Sequence, residues 1–428
     1  MTSRSAIIAR ARRTRVLGTI LQCREVNNRD KPLSFHYRAS DLDLCHLGLP
    51  PPKSRKHEVT RQSIVLDLTM EGLGDDGATS YSRRSNWWSE TCRYRGSDYT
   101  YRTVVRTVDD LAAGGWIEHW KAPPGPSGGR QSTMRATDAL MLAVTPTAFE
   151  YVVHETVRLR DEHKHLAGYR DSDRTLRWRK LLAEINEALG ALDVTLPGAE
   201  PVGLYGLRVP TSHGKYVNVF PRQNQAFRVF NEDFGHGGRI YGPWIQQLPK
   251  TWRQRLLIDG QPVAEPDYPE HHTRILYALQ GEPLAGPAYD VPGFPRDLAK
   301  RALNTLYNAP NYTSAWLAIA REVERHECAD PDYNGPIGEA ATATATTLIT
   351  ALKDRHPNIE AYFHSGIGTW LQYLDSVMAG RVVLALQHRH GVVALPVHDS
   401  FVVPAQHESL TREAMAEAFN FVVRRAAA

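Results

Sequence analysis

Cysteine is scarce in this chain and never closely paired. Only four of its 428 residues are cysteine, Cys23, Cys45, Cys92 and Cys328. No two of them stand at a metal-knuckle spacing, which argues against a zinc module or a disulfide framework and predicts a reducing, cytoplasmic setting. No apolar run approaches the roughly 18 residues of a membrane-spanning helix, so no membrane partner is expected. A strong excess of one charge is missing too. Fifty-one basic residues face 47 acidic ones, a net charge of +4, so any affinity for a polyanion must come from local patches. The histidines His213, His236, His271, His272 and His364 lack metal-ligand spacing and read as surface or packing residues. There is no internal repeat, which excludes a solenoid.

What remains is an ordinary folded composition, 42% hydrophobic and 23% charged, in a chain long enough for two or three domains. Residues 1–58 read as a basic arm and linker. The first 16 residues carry five arginines and no acid, and LGLPPPKSRK closes the segment. A transit peptide is the other reading of that arm, but it lacks an amphipathic repeat. Over 59–145 the pattern is helix, strand, Gly/Pro-rich loop and return strand. The segment YTYRTVVRTVDDLAAGG puts Val104, Val105, Val108 and Leu111 on one face and stops at Gly114-Gly115. WIEHWKA and STMRATDAL flank the loop PPGPSGGRQ. This is the order of a winged helix-turn-helix domain, with Arg102, Arg106 and Arg130 facing phosphates. A packing module of the same shape that touches no nucleic acid is the competing reading. Residues 146–205 read as a helical unit: two charged amphipathic helices over 146–195, the second with Leu176, Leu181, Leu182, Ile185 and Leu189 at helical spacing, form either a thumb that tracks a duplex or a solvated connector.

From 206 to 428 β-like runs return between long helices, and here the chemistry concentrates. LPVHDSFVVP sets His398 and Asp399 in a tight turn between apolar runs. Far upstream, another apolar run ends in a carboxylate, Asp267, within LLIDGQPVAEPDYPEHHTRIL. Nucleotidyl transfer by two divalent ions needs at least two carboxylates on rigid elements. Mg²⁺ favours such oxygen donors. Glu265 lies one step back on the same strand, a spare ligand or a surface residue. Between the two aspartates, PGFPRDLAKRALNTLYNAPN carries Arg296 and Lys300 four apart, hence on one helix face suited to a triphosphate.

Four blocks in this half resemble, in order, the palm and fingers of family A DNA polymerases, the bacterial DNA polymerase I type, whose palm is shared by single-subunit phage RNA polymerases. GGRIYGPWIQQLPK is similar to the family's TGR…LQNIP element, which would put Arg239 and Gln246 on the primer-template. PDYPEHHTRIL is similar to DYSQIELRI, making Asp267 a metal ligand, Tyr268 a carbonyl donor to the metal and Arg274 the motif's arginine. RDLAKRALNTLYN resembles the R-x3-K fingers helix, with Arg296 and Lys300 on the phosphates and Lys300 able to protonate pyrophosphate. PVHDSF resembles the third motif, with His398 beside the primer and Asp399 on the metal.

The resemblance covers less than half the chain and implies an α+β fold: an antiparallel palm sheet with helices, plus helical fingers and thumb, behind the winged helix. It implies two Mg²⁺ ions (Mn²⁺ as a substitute), with a DNA primer-template and nucleoside triphosphates as partners.

There are departures. His272 stands where the DNA enzymes carry a Glu that crowds the ribose 2′ position and the phage RNA polymerases carry Gly. Asn304 and Asn308 replace an aromatic and a Tyr on the fingers helix, with Tyr307 one step off. HDS in place of HDE is the phage form. The interval from Asp267 to Lys300 is short, and nothing upstream resembles a proofreading exonuclease. The first expectation is thus a compact DNA polymerase with His272, Asn304, Tyr307 and Asn308 around the nucleotide. An RNA polymerase or primase on the same palm comes second. A DNA-binding initiator on a degenerate scaffold comes third.

Overall fold

The structure, a computed structural model, describes residues 31–427 apart from 40–41, 72–77, 91–97, 124–130, 145–148, 165, 203–204, 212–213 and 331. Arg130 and the basic segment before residue 31 lie outside the described residues. Helix and strand are mixed throughout, in an α+β arrangement with several small sheets. Buried side chains form two hydrophobic cores, one running from Leu33 to Phe149 and the other from Val157 to Val423. Among the described residues no helix is long and apolar enough to cross a membrane.

The first core is enclosed by β1 (Lys31–Pro32), β2 (Tyr37–Arg38), α1 (Arg55–Glu71), β3 (Thr79–Tyr81), α2 (Ser85–Glu90), α3 (Tyr101–Ala113), β4 (Ile117–Trp120), β5 (Ser132–Ala136), α4 (Asp138–Ala143) and β6 (Glu150–Tyr151). Its sheet runs β1-β3-β5-β4, and β2 pairs with β6. α3 begins at a capping box, in which the Thr100 hydroxyl accepts from the Thr103 backbone N–H and the Thr103 side chain accepts from that of Thr100. It ends before Gly115, whose φ of +73° suits glycine. Val104, Thr107, Val108 and Leu111 are buried, while Arg102 and Arg106 are exposed on the opposite face.

The expected arm over 1–58 is corrected where it is described. Leu33, Phe35, Tyr37, Leu42 and Leu47 belong to this core, and Phe35 stacks on Tyr99 with ring centroids 4.0 Å apart. Aromatic burial of that kind outweighs the linker-like composition around it.

The second core holds β7 (Val157–Arg160), β8 (Leu166–Ala167), α5 (Asp173–Ala191), β9 (Val194–Thr195), β10 (Glu200–Val202), β11 (Gly206–Pro210), β12 (Tyr216–Val219), β13 (Phe227–Asn231), β14 (Asp233–Tyr241), α6 (Lys250–Arg253), β15 (Leu257–Ile258) and β16 (Gln261–Ala264). It continues with α7 (His271–Leu279), α8 (Arg296–Asn308), α9 (Tyr312–Glu327), α10 (Glu339–Arg355), α11 (Gly368–His390), β17 (Leu395–Val397), β18 (Ser400–Pro404) and α12 (Glu408–Ala427).

The first of the two helices expected over 146–195 is instead strand. β7 lies parallel to β13 and antiparallel to β8 in a sheet ordered β14-β13-β7-β8. Pairing with a distant strand decides this segment, which its charged local sequence conceals. α5 is the second expected helix. It buries Leu182, Ile185 and Leu189 in the same core as α7 to α12, so 146–205 is not a separate connector. Leu176, expected on its apolar face, is exposed.

The sheet that matters for function is ordered β17-β18-β16-β15-β9, antiparallel throughout. Helices α7 to α11 leave it after β16 and return to it at β17.

Candidate active site

β16 pairs with β18 through Val263↔Pro404 and Ala264↔Val403. The ladder then loosens but continues. The Phe401 N–H donates to the Pro266 carbonyl (3.0 Å), Asp267 faces Ser400 in an isolated bridge, and the Tyr268 N–H donates to the Asp399 carbonyl (3.1 Å). Backbone hydrogen bonds therefore place Asp267 and Asp399 side by side, although a long helical excursion separates them in sequence.

The turn that carries Asp399 is tight. Val397 pairs with Ser400, and His398 sits at φ +58° in the left-handed region, an uncommon conformation for a non-glycine residue. Its ring meets Tyr241 edge-on with centroids 5.7 Å apart. Burial, reinforced by the Arg239 charge, lowers the His398 pKa and favours the neutral imidazole.

Both aspartates open onto one cavity of about 790 Å³, lined also by Arg239, Tyr268, His272, Tyr289 and Gln372. α8 also lines it. Leu298, Ala299, Ala302, Leu303, Leu306 and Tyr307 on its inner side are buried. Arg296, Lys300, Asn304 and Asn308, each four residues on, form a single stripe that lines the cavity. The Tyr289 ring lies under the two cations, 5.2 Å from the Arg296 guanidinium and 6.0 Å from the Lys300 ammonium. Such cation–π contacts hold both side chains toward the space in front of the carboxylates. Tyr289 is itself held in place by a neighbouring contact: the Ala288 N–H donates to Glu270 (2.6 Å), which also faces Arg274 at 3.4 Å.

His398, Tyr307 and Gln246, all expected at the site, are not among the residues that line the cavity. Tyr307 is fully buried, with its hydroxyl 2.9 Å from that of Thr273, because residue 307 falls on the core side of α8. The Gln246 amide is engaged by backbone: it donates to the Ile240 and Pro396 carbonyls (3.0 and 2.8 Å) and accepts from Gly242 (3.2 Å). It ties β14 to the β17–β18 hairpin. Glu265 is no spare ligand either. The Arg253 guanidinium grips its carboxylate (closest approach 2.8 Å) and the Ser400 hydroxyl donates to it (2.9 Å), all nearly out of solvent. Arg102 and Arg106 lie on the first unit, away from the cavity lining.

Sequence reasoning missed the acid beneath the site. Asp375, on α11, is fully buried; its Oδ2 accepts from Arg239 Nε (2.8 Å), and its Oδ1 lies 3.5 Å from His271 Nε2. Burial opposes its ionisation, but His271 and Arg239 outweigh that and hold its pKa at about 2. Asp375 is the one acid in GTWLQYLDSVMAGRVVLALQHRH, and a lone acid in a largely apolar helix is a signal that could have been followed. His272 is driven down to about 4, chiefly by burial, and its Nε2 has no hydrogen-bond partner.

Among the described residues no three His, Cys, Asp or Glu side chains gather as a closed metal site. The donor set still fits a hard cation. Two carboxylates and the Tyr268 carbonyl are all oxygen, and Mg²⁺ is commonly held by one or two carboxylates together with water and substrate phosphates. Asp267 has only a loose neighbour, the exposed Lys250 ammonium at 3.9 Å, a screened contact that a divalent ion would displace readily.

No protein-family model matches this chain, and no curated protein matches its sequence significantly. Its functional reading rests on the geometry of this cavity.

Proposed function

We propose that the chain is a template-directed DNA polymerase that joins deoxynucleotides on a primer by metal-assisted nucleotidyl transfer. One observation carries the reading: Asp267 and Asp399 stand side by side just beyond the paired strands β16 and β18, at a cavity that Arg296 and Lys300 also line. Carboxylates and a cationic stripe at one cavity are the complement of a triphosphate bridged by divalent ions. Asp267, Asp399 and the Tyr268 carbonyl would hold Mg²⁺. The metal would polarise the α-phosphoryl group and neutralise the attacking and leaving oxygens. Arg296 and Lys300 bind the β- and γ-phosphates, and Lys300 is placed to give a proton to departing pyrophosphate. Arg239 faces the primer-template, while His272, Asn304 and Asn308 border the sugar and base.

The first unit supports an accessory DNA-binding role. Its order α1-β3-α2-α3-β4-β5, with strands arranged β3-β5-β4, is compatible with the winged-helix reading, and α3 exposes Arg102 and Arg106. Replacing both arginines with alanine should weaken duplex binding at every sequence alike. It should also reduce the slope of log affinity against log salt by about two, near 0.9 per phosphate contact. A slope unchanged by the double substitution removes α3 from the interface.

A ribonucleotide enzyme is the second reading. It is favoured by the unpartnered His272 Nε2 in the cavity wall, which can bond a 2′-hydroxyl. Extension of a labelled primer on a DNA template with Mg²⁺, comparing dNTPs with NTPs, decides between them. Deoxynucleotide extension is expected. Extension by NTPs alone establishes the second reading, and none with either nucleotide set leaves a DNA-binding protein on a non-catalytic scaffold.

A further inference from the structure

We propose that Asp375 is a positioning residue for this cavity, aiming the Arg239 guanidinium at the primer-template; the inference rests on the polymerase reading. Removing a carboxylate from water costs several kcal/mol unless the site repays it in contacts, so a buried acid on a helix needs partners that depend on it. Asp375 has two. Its Oδ2 takes Arg239 Nε, and the Arg239 side chain makes no other hydrogen bond among the described residues. The two terminal amino groups of the guanidinium are thereby left for a ligand in the cavity that Arg239 lines. Its Oδ1 faces His271, whose ring stacks on Tyr268 with centroids 4.4 Å apart and 24° between planes. One carboxylate thus orders the arginine and supports the residue beside Asp267.

The neighbouring residues make this placement rigid. Ser376 accepts from Arg228 Nη2 (2.7 Å), and Arg228 Nε donates to the Gly238 carbonyl (2.7 Å). Arg228 itself is buried, its guanidinium 4.8 Å from the centroids of both the Trp178 and Phe230 rings, which stack on each other. Two consecutive residues of α11 therefore hold two consecutive residues of β14, Gly238 through Arg228 and Arg239 directly. A guanidinium fixed through its Nε loses less conformational freedom on binding than a free surface arginine.

The test is a double-mutant cycle in the full chain, reading primer-template affinity by fluorescence anisotropy and dNTP incorporation in parallel. Arg239→Ala is expected to weaken DNA binding about tenfold, and Asp375→Asn to do nearly the same. The double variant should be no weaker than Arg239→Ala alone, since contacting residues that act as a unit are not additive. An unchanged affinity for Asp375→Asn overturns the proposal, as does an undiminished Asp375→Asn effect when Arg239 is already alanine.

If Asp375→Asn does not fold, Arg239→Lys decides. A lysine ammonium can pair with Asp375 or face the DNA but not both, so binding should fall as it does for alanine; wild-type affinity overturns the proposal. A wild type that binds primer-template without incorporating nucleotide defeats the polymerase reading yet leaves the Asp375–Arg239 cycle readable. One that does not bind primer-template defeats both.

Discussion

Alanine at Asp399, or at Asp267, is expected to reduce Mg²⁺-dependent nucleotide incorporation by about a thousandfold or more while leaving the fold intact. Metal stabilisation of the attacking and leaving oxygens is worth several kcal/mol, and each 1.4 kcal/mol is tenfold in rate. Losing either aspartate leaves the proposed metal site with one carboxylate and a carbonyl, too little charge to hold two cations. The stability change should be small. Asp267 is more than half exposed and its contact with Lys250 is 3.9 Å long, a pairing worth at most about 1 kcal/mol. Both variants together should be no slower than the worse single one, because the two ligands serve one centre. Single-turnover incorporation and a thermal melt, run with and without chelator, separate these effects. Incorporation that survives in either variant removes that residue from the chemistry.

Arg253→Ala is the largest stability effect expected. The Arg253 and Glu265 side chains are 12% and 6% exposed, and the guanidinium contacts both carboxylate oxygens at 2.8 to 3.2 Å. Removing the arginine leaves Glu265 buried with only the Ser400 hydroxyl, and breaking a buried pair in this way costs roughly 3–5 kcal/mol. Urea midpoints at unchanged slope measure the loss. Replacing both residues by apolar ones of similar volume, Arg253→Met with Glu265→Leu, should cost much less, since neither charge is then stranded. A loss under about 1 kcal/mol for Arg253→Ala would mean that Glu265 reaches water. Incorporation should fall as well, because Ser400 links this pair to Asp399.

The stripe Arg296, Lys300, Asn304 and Asn308 was legible because helical periodicity is a local property, readable from about a dozen residues. So was the His398-Asp399 turn, bounded on both sides by short apolar runs. Tyr307 misled because one step along a helix is a rotation of about 100°, enough to move a side chain from cavity to core. Gln246 and Glu265 were polar residues near a motif, and their partners, Pro396 and Ser400, lie far off in sequence. Asp375 was hidden for the same reason: its meaning depends on Arg239 and His271, which only the packed structure brings to it. Residues 157–160 became strand through β13, some 70 positions away, a pairing that no local pattern announces.

The cross-strand bonds from the Phe401 N–H to the Pro266 carbonyl and from the Tyr268 N–H to the Asp399 carbonyl have an evolutionary corollary. The segment that supplies the cationic wall departs from and rejoins a sheet that is closed without it, so its connecting loops can be lengthened, trimmed or exchanged while the carboxylate spacing stays as it is. Substrate choice and chemical competence are then separately mutable. A lineage, or an engineer, can search new nucleotide preferences across residues 280–367, Arg296 and Lys300 excepted, without first rebuilding the carboxylate pair.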